Sequence, residues 1–253
     1  MRENKTSREL IAAASELGAA AGRLKFSPPV THVYNPLDYA WAAHELYLKK
    51  FGATRKRVIF LGMNPGPFGM VQTGIPFGEI AAVRDWLKIS AKINKPADEH
   101  AKRLIHGFDC ERSEVSGRRL WGLFAERFGP SENFFEEHFV ANYCPLAFCE
   151  HSGSNRTPDK LPPGERHPLF EICNAHLRRV LEILQPEWVI GVGDFAVKRA
   201  LIVCEQLPRP IQIGQILHPS PASPAANRGW AQKATEQLIE LGVWKTGDKT
   251  VRA

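Results

Sequence analysis

This sequence predicts a three-layer α/β sandwich, a central four-stranded parallel sheet with helices on both faces. Three observations predict it. Four short runs rich in Val, Ile, Leu and Phe, at 58–61, 139–142, 188–192 and 211–217, have the length and composition of buried strands. Segments of helical length separate them at 116–128, 166–184 and 194–206, and strands alternating with helices at this spacing imply parallel pairing covered on both sides. Asn64, Asn142, Gly193 and His218 then fall at or just beyond the C-terminal ends of those strands, the edge where such sheets bind ligands.

Residues 6–24 are rich in Ala with Ser and Glu and read as a helix, followed by a link at Ser27-Pro28-Pro29. Residues 36–51 form an amphipathic pattern with Pro36 in the first turn and Gly52 at the end, the signature of a second helix. The first strand runs into Gly62-Met63-Asn64-Pro65-Gly66-Pro67-Phe68-Gly69-Met70, the last into His218-Pro219-Ser220-Pro221-Ala222-Ser223-Pro224. Proline fixes φ and glycine lets a ligand approach the backbone, so both loops hold a polar side chain in a restricted setting. A further helix begins near Trp230. No repeat or low-complexity segment divides the chain, so one domain is expected over 1–253, with the helices of 1–52 packed on the α/β core.

Composition narrows the function. The 253 residues carry a formal net charge of +6, which favours a polyanionic partner such as nucleic acid. The cations occur as short clusters (Arg55-Lys56-Arg57, Arg118-Arg119, Arg178-Arg179, Lys198-Arg199), a pattern suited to a phosphate-tracking groove. Cysteines 110, 144, 149, 173 and 204 form no CxxC pair, so zinc-ribbon and common iron–sulfur spacings are unsupported. No apolar stretch reaches the roughly 18 residues of a membrane span and the N-terminus lacks a signal-peptide core. A soluble intracellular protein is expected, cytoplasmic in a bacterium or nuclear in a eukaryote.

Leu61 to Met70, Gln72-Thr73-Gly74-Ile75-Pro76-Phe77-Gly78-Glu79, Ser113-Glu114-Val115-Ser116-Gly117, Asn142-Tyr143-Cys144-Pro145-Leu146, Gly191-Val192-Gly193 and the His218 segment through Trp230 together resemble the single-strand-selective monofunctional uracil-DNA glycosylase family. The resemblance implies a uracil-DNA glycosylase-like fold and hydrolysis of the N-glycosidic bond of uracil in DNA, leaving an abasic site. It implies that Asn64 orients the attacking water, a task of position more than of deprotonation because the sugar becomes electrophilic first. It implies that His218 stabilises charge on the departing base, that Asn142 reads the uracil edge, and that the flipped base stacks on Phe77. Met63, Phe68 and Met70 are expected to line the pocket. Gly66 is expected to leave room for 5-substituted uracils such as 5-hydroxymethyluracil.

DNA contacts are expected from Ser116 and Gly117 at a helix start, from Gly193 and from Pro219 and Ser220, and the resemblance implies a loop-and-helix wedge over Pro221 to Trp230 that meets DNA through Pro221, Ala222, Ser223, Asn227 and Arg228. Animal members of the family carry a basic residue where this chain has Ala222. The partner is then uracil-containing DNA, single- or double-stranded, with the protein acting as a monomer and needing no metal or organic cofactor. Two rival readings remain: a non-catalytic damaged-DNA-binding module, and a nicotinamide-dependent oxidoreductase. The latter rests on Gly191-Val192-Gly193-Asp194-Phe195-Ala196, which fits G-x-G-x-x-A but lacks an acid after the next strand.

Overall fold

A computed structural model describes residues 4–247. Chain order is α1 (Lys5–Ala21), β1 (Val30–Tyr34), α2 (Pro36–Tyr39), α3 (Trp41–Phe51), β2 (Val58–Gly62), α4 (Met70–Thr73), α5 (Val115–Phe128) and α6 (Ser131–Glu137). Then come β3 (His138–Asn142), β4 (Ala147–Glu150), β5 (Asn155–Arg156), α7 (Pro163–Leu184), β6 (Trp188–Val192), α8 (Asp194–Cys204), β7 (Gln212–Ile216) and α9 (Trp230–Glu240).

The four expected strands make one parallel sheet in the order β3-β2-β6-β7. β2 is buried at every position, as a strand covered on both faces must be. Helices α5, α6 and α9 pack together, and α1, α3, α7 and α8 form a second group. One apolar cluster joins both groups to the strands, including Leu10 and Tyr47 as well as Phe60, Trp121, Phe124 and Leu238. The expected three-layer sandwich is the observed architecture.

Strand order places the ligand edge. From β2 the chain first adds β3 on one side and later β6 on the other, so the direction of sheet growth reverses at β2. Such a reversal opens a crevice beyond the carboxyl ends of the strands. Register brings those ends level, with Gly62 beside Asn142 and Val192 beside Ile216. Pairing even continues past the strands: Tyr143 N–H donates to Gly62 O (3.0 Å), Cys144 N–H to Met63 O (2.8 Å) and Gly193 N–H to Ile216 O (3.0 Å).

Two features depart from the sequence expectations. Residues 30–34, assigned no element from the sequence, form β1, which pairs antiparallel with β4, and β4 pairs with β5. The helix expected over 36–51 is divided at Ala40, between α2 and α3. Tyr39 just before the break donates its hydroxyl to Val71 O at 2.6 Å, a tertiary anchor that overrides the helical pattern. Among the described residues, no helix is long and apolar enough to cross a membrane, and no group of three or more His, Cys, Asp or Glu is placed to hold a metal ion.

Candidate active site

The loop after β2 carries Asn64, whose Nδ2 donates to Leu146 O at 3.1 Å. Leu146 belongs to the segment following Asn142, so the loops after two neighbouring strands are tied through this amide. With its donor edge engaged, the side chain is fixed and presents Oδ1, an acceptor, elsewhere. An acceptor in a fixed place can take a hydrogen bond from water and aim its lone pair.

His218 follows β7. Its Nδ1 accepts from the Ser220 N–H at 3.1 Å, so Nδ1 is unprotonated and the neutral ring carries its proton on Nε2. Burial lowers the His218 pKa below the ordinary histidine value, in keeping with that neutral form. The described residues offer Nε2 no hydrogen-bond partner. The group is therefore a neutral donor, preset for an acceptor that arrives with a ligand.

Between these loops, two side chains close in on the end of β2. A Cβ built on Gly62 would stand 2.3 Å from Asn142 Oδ1 and 2.6 Å from the Phe77 ring, so the missing side chain is what lets both approach the strand end. Asn142 Nδ2 donates to Met70 Sδ at 3.2 Å, a weak acceptor that a stronger ligand acceptor can replace. The Phe77 ring centroid is 6.3 Å from that of His218. Phe77 itself has φ +52°, a left-handed conformation that costs a bulky residue free energy and recurs at functional sites. Its carbonyl is held by Trp121 Nε1–H at 3.0 Å and Glu79 N–H at 2.7 Å. Thus Asn64, Asn142, Phe77, Met70 and His218 converge on one edge, with Met63 partly buried beside them. Gly62 is a site residue that sequence reasoning passes over, although it stands at the end of a fully buried strand.

Gly193, at φ +88°, has its Cβ position 3.2 Å from His218 Cβ, so its conformation and its missing side chain both serve the placement of His218. A Cβ on Gly191 would meet Val197 N at 2.6 Å. These glycines serve helix–strand packing and the placement of His218.

Other expectations are corrected. The space beside Gly66 is filled, not open: a Cβ there would lie 1.8 Å from Glu114 Oε1. Gly117 is buried, and its Cβ would meet Phe77 O at 2.1 Å, so packing accounts for this glycine better than a phosphate contact. Phe68 turns away from the base slot and lies between two guanidinium groups, 3.9 Å from Arg112 and 5.2 Å from Arg103, beside a cavity of 410 Å³. Pro219 is buried, its carbonyl accepting from Arg119 at 2.9 Å. Asn227 spends its side chain internally, accepting from Arg119 at 2.9 Å and donating to Pro221 O at 2.9 Å. Arg119, expected in a phosphate-tracking cluster, instead clamps the His218 segment to α5. Pro221, Ala222 and Arg228 remain exposed, and Ser116, Ser220 and Ser223 partly so.

A cavity of 520 Å³ opens beside Arg57 and His138, at the amino ends of β2 and β3, and shares no residue with this cluster. Size alone would favour it. The chemistry favours the carboxyl edge, where the fixed amide, the neutral imidazole donor and the strained aromatic meet.

Comparison with known proteins gives the family. The family model of the uracil DNA glycosylase superfamily matches residues 49–240. The single-strand selective monofunctional uracil-DNA glycosylase of Rattus norvegicus is 48% identical over 227 residues, spanning 90% of this chain and 82% of that protein. The Bos taurus protein of the same description is 47% identical over 221 residues, 87% of this chain and 81% of its own length. A crystal structure of SMUG2 from Pedobacter heparinus superposes with a TM-score of 0.64 at 18% identity, covering 92% of this chain and 98% of that one, a likeness of fold.

Proposed function

This chain belongs to the uracil DNA glycosylase superfamily, and from that premise we propose that it hydrolyses the N-glycosidic bond of uracil in DNA and leaves an abasic site for repair. It is a monofunctional uracil-DNA glycosylase, an enzyme and not a passive damage-binding module. The observation that carries the reading is the pairing, at one sheet edge, of a fixed acceptor amide at Asn64 with a neutral Nε2–H donor at His218.

Each group has a step. A uracil turned out of the strand stacks on Phe77 and meets the Asn142 amide, which accepts from N3–H and donates to O4; cytosine presents the opposite pattern. As the glycosidic bond lengthens, the sugar gains oxocarbenium character and charge grows on uracil O2. His218 Nε2–H stabilises that charge, a preorganised donor of this kind contributing about 3–4 kcal/mol. Asn64 Oδ1 holds the water that attacks the anomeric carbon, and the proton it loses passes to solvent or to the departing base. No lysine stands in the loops at Asn64, Asn142 or His218 to open a Schiff-base route.

The exposed Pro221, Ala222 and Arg228 meet DNA, in single or double strands, with the protein acting as a monomer. The five unpaired cysteines support an intracellular place of action. The test is incubation with an oligonucleotide holding one uracil. Strand scission only after alkali, without a borohydride-trapped adduct, is expected; strands left intact after alkali would refute the reading.

A further inference from the structure

A carboxyl group is buried in the loop that carries Asn64. Glu114, just before α5, reaches between Gly66 and Gly69: a Cβ on Gly66 would stand 1.8 Å from Oε1, and one on Gly69 2.2 Å from Oε2. A Cβ on Gly117 would come within 2.9 Å of Oε2. None of these three glycines adopts a positive φ. Together they leave the volume that the carboxyl occupies.

The seat suits a neutral group. Oε2 is sealed from solvent and has no hydrogen-bond partner. Gly117 N–H faces the carboxyl and favours its ionised form, but burial and the repulsive charge of Glu79 outweigh that contact. Glu79 is itself held by Ser113 Oγ–H at 2.8 Å and Ala82 N–H at 2.9 Å. Of the cations in the first two turns of α5, Arg118 donates to Ser113 Oγ at 3.4 Å and Arg119 to Pro219 O, so neither neutralises Glu114. The loop from Asn64 to Met70 contributes no titratable side chain. An unpaired carboxylate in such a place is costly, and a proton removes the cost. Burial first, and the charge of Glu79 second, push the Glu114 pKa up to about 7.

We propose that Glu114 is a positioning residue: its protonated carboxyl, seated between Gly66 and Gly69, holds the Asn64 loop against α5, and its ionisation unseats that loop. The inference rests on the glycosylase reading and adds a proton-dependent support to it. A raised folded-state value means that the seat is fully stable below the unfolded value near 4.5 and weakens as pH rises through about 7.

Single-turnover uracil release from a single-stranded oligonucleotide should be followed between about pH 5.5 and pH 8.5 for the wild type, Glu114→Gln and Glu114→Ala. The wild-type rate is expected to decline above neutrality, approaching tenfold per pH unit, roughly the slope of one ionisation. Glu114→Gln, neutral at every pH, should match the wild type near pH 6 and stay flat. Glu114→Ala should lose roughly tenfold or more at every pH through a loosened loop. A Glu114→Gln profile that declines like the wild type, or a wild-type profile without the decline, overturns the proposal. So does a large loss in Glu114→Gln near pH 6, which would assign the carboxylate itself a role. Urea unfolding separates this test from that of the glycosylase reading. Even if no uracil were released, the wild type should lose stability relative to Glu114→Gln between about pH 5 and pH 8, and parallel curves would overturn the seat.

Discussion

His138 and His218 stand at opposite ends of the same parallel sheet, both kept neutral by burial, and their rings are used in opposite ways. His138 opens β3 with both nitrogens occupied. Its Nδ1–H donates to Phe134 O at 3.0 Å, and Nε2 accepts from the Trp244 indole N–H at 3.2 Å. The ring stacks on Phe134 at 4.8 Å, and burial drives its pKa down to about 4. His218 takes one bond from Ser220 N–H on Nδ1 and keeps Nε2–H for a ligand. Burial and neutrality therefore do not mark a functional histidine; the unspent nitrogen does. The same contrast separates the two ends of the molecule, an aromatic-lined amino end with its polar atoms matched and a carboxyl end with acceptor and donor held in reserve.

Substitution at both rings should break the symmetry. His218→Ala is expected to lower single-turnover uracil release by roughly 10²–10³ while leaving urea stability close to the wild type, one preorganised donor being lost. His138→Ala should leave the rate per folded molecule nearly unchanged and cost about 2–4 kcal/mol of stability, because a buried indole N–H and a carbonyl lose their partners. Equal rate losses in the two variants would erase the distinction.

Acid sharpens the comparison next. His138, His44 and His176 are each lowered to about 4 by burial, while the unfolded chain titrates near 6.5. The unfolded state binds protons first, so these rings leave stability unaffected above 6.5 and lower it as pH falls from there towards about 4. By pH 5 each ring should cost on the order of 2 kcal/mol. Urea midpoints at pH 7 and pH 5 check this, and His138→Phe should show a smaller acid loss than the wild type.

Glycines give the smaller effects. Gly62→Ala would place a methyl against Asn142 Oδ1 and the Phe77 ring, so uracil release should fall by roughly 10- to 100-fold, in line with a disturbed binding geometry. Gly122, inside α5, has nothing within 4 Å of its Cβ position, and Gly122→Ala should add about 0.5–1 kcal/mol of stability without changing the rate. A harmless Gly62→Ala would mean that the slot lies elsewhere.

The range of the forces decides how much of this fold and site is legible in the sequence. The strands of the parallel sheet are runs of apolar residues, and burial on both faces writes itself locally. Asn64, Asn142 and His218 are legible because each closes such a run. β1 is not: five residues, Val30–Tyr34, become a strand only by pairing with Ala147–Glu150, more than a hundred positions away. Nor does the sequence tell that Glu114 fills the space beside Gly66, or that Arg119 and Asn227 are spent on holding the His218 segment. Those outcomes depend on which side chain reaches a vacant volume first in three dimensions. Phe68 eludes sequence reasoning for the same reason, since its guanidinium neighbours Arg103 and Arg112 lie over thirty residues on.

The carboxyl-edge cluster as the place of base release is tested most directly at Asn64. Single-turnover uracil release and product-strand binding should be measured together for the wild type and Asn64→Ala, on one oligonucleotide. Release is expected to fall by roughly 10³, the scale of losing an oriented nucleophile, with binding kept within a few-fold. An Asn64→Ala protein that releases uracil as fast as the wild type would contradict it.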